Sequence, residues 1–199
     1  MARLHRLTAL VGLLLRYTPH HQEDTGLYLF DSKPIPVCKT IRHGRVRLLR
    51  DQGAYFGKNK AGWYFGFKLH LVIHGDGTII TAFLTPANVD DRVVAPALAE
   101  ALEGGVVLAD VGYRDSRELE DALFDEWGVI LVTPAHAGEI GSLQRILVSS
   151  LRERVETCFS SLWHRFVDRV FSRSWEGLWN TIKLKMLHYN LCKVGILKT

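Results

Sequence analysis

Three carboxylates in unlike settings carry the chemistry of this chain. Asp31 closes the apolar run Leu27-Tyr28-Leu29-Phe30, Asp110 closes Val106-Val107-Leu108-Ala109, and Glu156 lies inside a long helical pattern. Short runs rich in β-branched and aromatic residues read as buried strands, and an acid where such a run stops sits at a strand end, where sites collect. Three carboxylates converging there offer hard oxygen donors, suited to Mg2+ or Mn2+. Two such ions roughly 3.5–4 Å apart can activate a nucleophilic oxygen and stabilise a leaving one, as phosphodiester cleavage requires. Taken singly, each acid also fits a plainer role as a polar stop or an ordinary helix residue.

The elements that must position these acids follow from periodicity. Met1 to about Gly26 predicts an amphipathic helix, with Leu4, Leu7, Val11, Leu14 and Leu15 on one face, and then a polar linker. A first strand runs from Leu27 to Asp31. Residues 33–62 form a long basic excursion holding Pro34, Pro36, Lys39, Arg42, Arg45, Arg47, Arg50, Lys58 and Lys60. From Trp63 to His74 the odd positions are apolar, while Lys68, His70 and His74 share the even face, which predicts a strand. Gly75-Asp76-Gly77 turns it into a third strand, Thr78 to Thr85. A helix capped by Asp90 or Asp91 through about Glu103, the strand ending at Asp110, a helix from Asp115 to Trp127 and a strand at Val129 to Val132 complete two crossover units. A stripe from Leu143 to Phe166 marks a long helix carrying Glu156 at its border, and Gly177 to Cys192 reads as a final amphipathic helix. The expected fold is an α/β, ribonuclease H-like mixed sheet of five strands, three antiparallel then two parallel, flanked by helices.

Composition narrows the class. With 199 residues, 47% of them apolar, the chain suits one globular domain, and a net charge of +4 makes the placement of its basic residues more informative than their total. Cys38, Cys158 and Cys192 are odd in number and form no C-x-x-C pair, which argues for a reducing, cytoplasmic setting and against a zinc knuckle. The apolar stretch from Leu7 to Leu15 is too short to span a bilayer, so no membrane role is expected. No glycine-rich phosphate loop occurs, which argues against ATP dependence.

Several blocks make the reading specific: Leu29-Phe30-Asp31-Ser32-Lys33-Pro34, Gly66-Phe67-Lys68-Leu69-His70, Leu84-Thr85-Pro86-Ala87-Asn88-Val89-Asp90-Asp91, Ala109-Asp110-Val111-Gly112-Tyr113, and Arg152 four residues before Glu156. In this order and at these intervals they resemble bacterial insertion-sequence transposases of the DDE type, over about residues 27–190. The resemblance implies that Asp31, Asp110 and Glu156 are the catalytic triad and hold two Mg2+ or Mn2+ ions. It implies hydrolysis at transposon ends, then attack of the freed 3′-hydroxyl on target DNA, by a homo-oligomer assembled on terminal inverted repeats and associated with the nucleoid. Residues 27–175 are then the catalytic domain with its basic insertion 33–62, and residues 176–199 a C-terminal helix. Residues 1–26 are expected to be the remnant of a longer DNA-binding region, which makes the chain a truncated copy or one read from an internal Met.

Around the triad, Arg152 matches the family's Arg and is expected to contact phosphate or orient Glu156. Ser149 and Trp163 stand where a related motif has Tyr and Lys. Lys68 and His70 are candidates for phosphate contacts beside Asp31, and Arg42, Arg45, Arg47, Lys58 and Lys60, interleaved with Tyr55 and Phe56, for tracking a DNA backbone by charge and stacking. A solvated strand face and a solvated loop are the plainer alternatives. Asn88, Asp90 and Asp91 are expected to serve as helix caps. Two other functions fit the same residues: a catalytically silent fragment that binds DNA or full-length transposase as an inhibitor, and a host ribonuclease H-like nuclease.

Overall fold

The computed structural model describes residues 12–14, 25–38, 40–42, 44, 48–114, 117–133, 153, 156–161 and 172–197. Its centre is a six-stranded mixed sheet formed by β1 (Leu27–Cys38), β2 (Tyr55–Asn59), β3 (Gly62–His74), β4 (Ile79–Pro86), β5 (Gly105–Ala109) and β6 (Val129–Val132). The order is β2-β3-β1-β5-β6, and β4 shares the outer edge of β3 with β2. β1 runs antiparallel to β3 and parallel to β5, and β5 runs parallel to β6. This is the expected class, compatible with a ribonuclease H-like fold.

The sixth strand comes from the basic excursion. Tyr55 to Asn59 pairs with Gly62 to Gly66, and β1 continues past Asp31 to Cys38 against β3. Pro34 and Pro36 are compatible with this strand because the pairing with β5 stops at Phe30, which leaves β1 bonded along one edge beyond that point.

Alternation along the strands divides the interior into two apolar layers. Leu29 and Ile35 of β1 and Phe65, Phe67, Leu69, Leu71 and Ile73 of β3 join Cys158, Phe159, Leu178, Ile182 and Met186 in the first. Tyr28, Phe30, Val72, Val107 and Tyr113 join Val94, Leu98 and Leu123 in the second. The Trp175–Lys193 helix therefore covers one face, while the Asp91–Ala99 and Arg117–Trp127 helices cover the other. Burying a large apolar side chain contributes about 1.5–3 kcal/mol, so a sheet covered on both faces gives its strand ends a firm base. The last helix is also pinned by Asn190, which is fully buried. Its Oδ1 accepts from the Ile79 amide at 2.9 Å, and its Nδ2 donates to the Ile79 carbonyl at 2.7 Å.

Among the described residues no helix is long and apolar enough to cross a membrane. Helix ends differ from the pattern-based bounds by a few residues, the first crossover helix stopping at Ala99. Most of the long stripe from Leu143 to Phe166, and Asp115, lie outside the described residues, as does most of the opening helix.

Candidate active site

The parallel pairing of β1 and β5 ends at Phe30 opposite Ala109, so the next residues, Asp31 within β1 rather than at its expected end and Asp110 just past β5, follow side by side where that pairing stops. Their faces follow from alternation. Leu29 pairs with Leu108, and both belong to or pack against the first apolar layer. Asp31 and Asp110, two positions further on, share that face. Asp31 accepts a hydrogen bond from the Ser32 amide at 2.7 Å, and Asp110, capping the short turn Val111–Tyr113, accepts one from the Val111 amide at 2.7 Å. Burial raises the Asp31 carboxyl from 3.8 to about 6; the Ser32 amide and Lys33 oppose the shift, and the charges of Asp110 and Asp91 add to it. A half-buried carboxylate next to another carboxylate favours either a proton or a cation.

Glu156 begins the described helical segment 156–161 and is exposed, while Cys158 and Phe159 behind it are fully buried. The Lys33 ammonium sits 4.8 Å from the centre of the Phe159 ring. Burial, with the Asp31 charge among the smaller causes, lifts the Cys158 thiol to about 12. The turn that carries Glu156 is thus anchored on the face that Asp31 and Asp110 share. Among the described residues, no three or more His, Cys, Asp or Glu side chains gather closely enough to hold a metal ion.

Lys68 and His70 occupy the opposite face, because β1 and β3 pair Asp31 with Leu71 and Ser32 with His70. His70 is fully buried rather than solvated. One ring nitrogen lies 2.9 Å from the Thr85 hydroxyl and the other 3.3 Å from the Tyr113 hydroxyl. Burial lowers its pKa to about 4, with Asp91 opposing, so the ring is neutral near pH 7. The Lys68 ammonium donates to Asp91 at 2.8 Å and to the Val89 carbonyl at 2.9 Å. Arg42, Lys58 and Lys60 are exposed, whereas Arg45, Arg47, Ser149, Arg152 and Trp163 lie outside the described residues. Phe56 is half-buried and packs edge-on against Phe65, with ring centres 5.3 Å apart.

The two neighbouring acids expected as caps divide their work. Asp90 is the N-cap of the Asp91–Ala99 helix and accepts from the Arg92 amide. Asp91 turns inward, where it accepts from the Ser32 hydroxyl at 3.0 Å as well as from Lys68. Two polar contacts thus flank the site's far side, Thr85 to His70 to Tyr113 and Ser32 to Asp91 to Lys68. Gly112 permits the second, since a Cβ there would lie 2.9 Å from the Asp91 carboxylate. Asp91 and Ser32 thereby fix the backbone that follows Asp31. The sequence held one signal for this: one N-cap needs one acid, so the second was spare.

The difference between the two acids is measurable in urea melts. Asp90→Ala removes a cap and is expected to cost about 1 kcal/mol. Asp91→Ala removes the carboxylate that the half-buried Lys68 ammonium and the Ser32 hydroxyl share, leaving Lys68 only the Val89 carbonyl, and is expected to cost about 2–3 kcal/mol. Equal losses would contradict the inward role of Asp91.

Comparison with known proteins identifies a family. A family model described as a transposase DDE domain matches residues 21–164, a span that includes Asp31, Asp110 and Glu156. No curated protein and no solved structure matches the chain. Such domains are nucleases and transferases that act on DNA, generally with divalent metal ions. More than half of the chain lies inside the matched span, and the protein belongs to the family of transposase DDE domains.

Proposed function

We propose that the protein cleaves DNA at transposon ends and joins the freed ends to target DNA, using Mg2+ or Mn2+ held by Asp31, Asp110 and Glu156. The observation that carries this reading is the pairing of Phe30 with Ala109, which sets two aspartates side by side on the face where the turn bearing Glu156 is anchored. The chemistry of the donors suits a hard cation, since all are carboxylates and the burial of Asp31 beside Asp110 makes an uncompensated charge there unfavourable. Glu156 does not gather with the two aspartates in this structure and would have to close on them to complete the set. When bound, the ions would polarise the scissile phosphate and ease deprotonation of the attacking hydroxyl.

The chain's own residues divide the remaining work. Asp31 and Asp110 are held in place by the Ser32 and Val111 amides. Asp91 steadies the β1 backbone from the other face through Ser32. Exposed Arg42, Lys58 and Lys60 supply charge for a DNA backbone, the role also proposed for Arg45, Arg47 and Arg152. Lys68 holds Asp91, so its proposed part is structural support of the site. In hydrolysis a water oxygen bonds to phosphorus and the bond to the 3′-oxygen breaks, leaving a 3′-hydroxyl. In strand transfer that hydroxyl attacks a target phosphate and displaces the target's own 3′-oxygen. Assembly of several copies on paired transposon ends belongs to the same proposal.

Calorimetric titration with Mn2+ tests the donor set. The wild-type protein is expected to bind Mn2+, and Asp31→Ala or Asp110→Ala to weaken binding at least tenfold, while Asp90→Ala leaves it unchanged. Equal Mn2+ binding by all four proteins would contradict the site.

A further inference from the structure

Trp63 departs from its pattern. By alternation it belongs with Phe65 and Phe67 on a core-facing strand face, yet it is 61% exposed. Leaving an indole in water forgoes much of the burial energy that such a ring supplies, so packing does not account for its type here. Two further observations define its surroundings. The Lys58 ammonium, directly across the β2–β3 pair, lies 5.7 Å from the ring centre. Both side chains line an open cleft of about 420 Å3 at the junction of β2 and the end of β4, and the far wall of that cleft includes Asp91 and Gly112, the latter two residues after Asp110.

We propose that this cleft is a nucleotide subsite in which Trp63 stacks an unpaired DNA base and Lys58 takes the accompanying phosphate. An aromatic face beside a cation is the arrangement that binds single-stranded DNA through bases and backbone together. The other exposed aromatic of the hairpin, Tyr55, does not line the cleft, and Phe56, which does, is half-buried against Phe65. Trp63 is therefore the stacking residue. The inference rests on the DNA-cleaving function proposed above and adds the chemical class that this cleft, walled by Asp91 and Gly112, would hold: a nucleotide released from its duplex, as at a frayed or cut DNA end.

The test compares fluorescence anisotropy of a labelled twelve-nucleotide oligo-dT with that of an abasic strand carrying the same phosphates, in metal-free buffer. Wild type is expected to bind oligo-dT more tightly than the abasic strand, on the order of 5- to 100-fold. Trp63→Ala is expected to erase that preference without changing abasic-strand affinity, and Trp63→Phe to keep part of it. Equal binding of both strands by wild type, or an unchanged preference in Trp63→Ala, overturns the subsite. So does a change in sedimentation of Trp63→Ala with its base preference intact, which would make the indole a contact between copies. Mn2+-dependent nicking by wild type without any base preference would remove this inference alone. Base preference that depends on Trp63, without nicking, would support the subsite and remove the catalytic function.

Discussion

Replacing Asp31 by Asn is expected to reduce metal-dependent DNA cleavage by a factor on the order of 10^3 or more and, at the same time, to stabilise the metal-free protein. The two effects share one cause. Folding raises the Asp31 carboxyl from 3.8 to about 6, chiefly by burial. The folded state therefore holds that proton more tightly than the unfolded chain does. The group's favourable contribution is complete below about pH 4 and is lost as pH rises through about 6. At pH 8 the ionised carboxylate opposes folding, and Asn removes the opposition. The expected gain is about 1–2 kcal/mol, discounted because the side chain is only half-buried. Urea melts at pH 4 and pH 8 check it: Asp31→Asn should approach or fall below wild type at the lower pH and exceed it at the higher. A variant that is less stable than wild type at pH 8 would mean that Asp31 is a structural acid rather than one kept for a cation.

The second large effect is expected at Gly66, which pairs with Pro36 further along the strand that carries Asp31. Gly66 faces Pro36 of β1 and Tyr55 of β2, and its carbonyl accepts from the Ala87 amide after β4. Four chain segments meet there. A Cβ at this position would lie 2.1 Å from the Ile35 carbonyl oxygen and 2.9 Å from the Val37 amide nitrogen. Those atoms are backbone and cannot rotate away, so Gly66→Ala must push β1 off β3. A loss of about 3 kcal/mol or more is expected, with reduced cleavage because the displaced strand carries Asp31. Denaturant unfolding and nicking of the same preparation check both effects. A wild-type melting profile would show that the approach of β1 to β3 is looser than described.

The residues that sequence reasoning could place were those whose pattern is local. Period-two alternation located β3, and turn chemistry located β4. Apolar runs ending in acids located β1 and β5, and their adjacency follows from the connection rules for crossover units. What alternation could not supply was the partner across each strand. The register of β1 on β3 places Lys68 and His70 beneath Ser32 rather than beside Asp31, and no local pattern encodes that choice. β2 escaped for a related reason: Tyr55-Phe56-Gly57-Lys58-Asn59 has little strand character and is ordered by pairing with β3. Asp90 and Asp91 look alike as a dipeptide. The first faces the helix amides and the second faces Ser32 and Lys68 because successive residues at a helix start point in different directions. Trp63 reads as core by its position in the strand, and its exposure is not encoded in that alternation.

The most direct test of the central claim is Mn2+-dependent nicking of a plasmid that carries this gene with its flanking DNA, measured for wild type and for Asp110→Ala. Asp110 is exposed and accepts a hydrogen bond from the Val111 amide; the variant is expected to fold, which circular dichroism of the same preparation checks, and to retain DNA binding. The account predicts nicks at the flanking ends with wild type and their loss in Asp110→Ala. Equal nicking by the two proteins would contradict it.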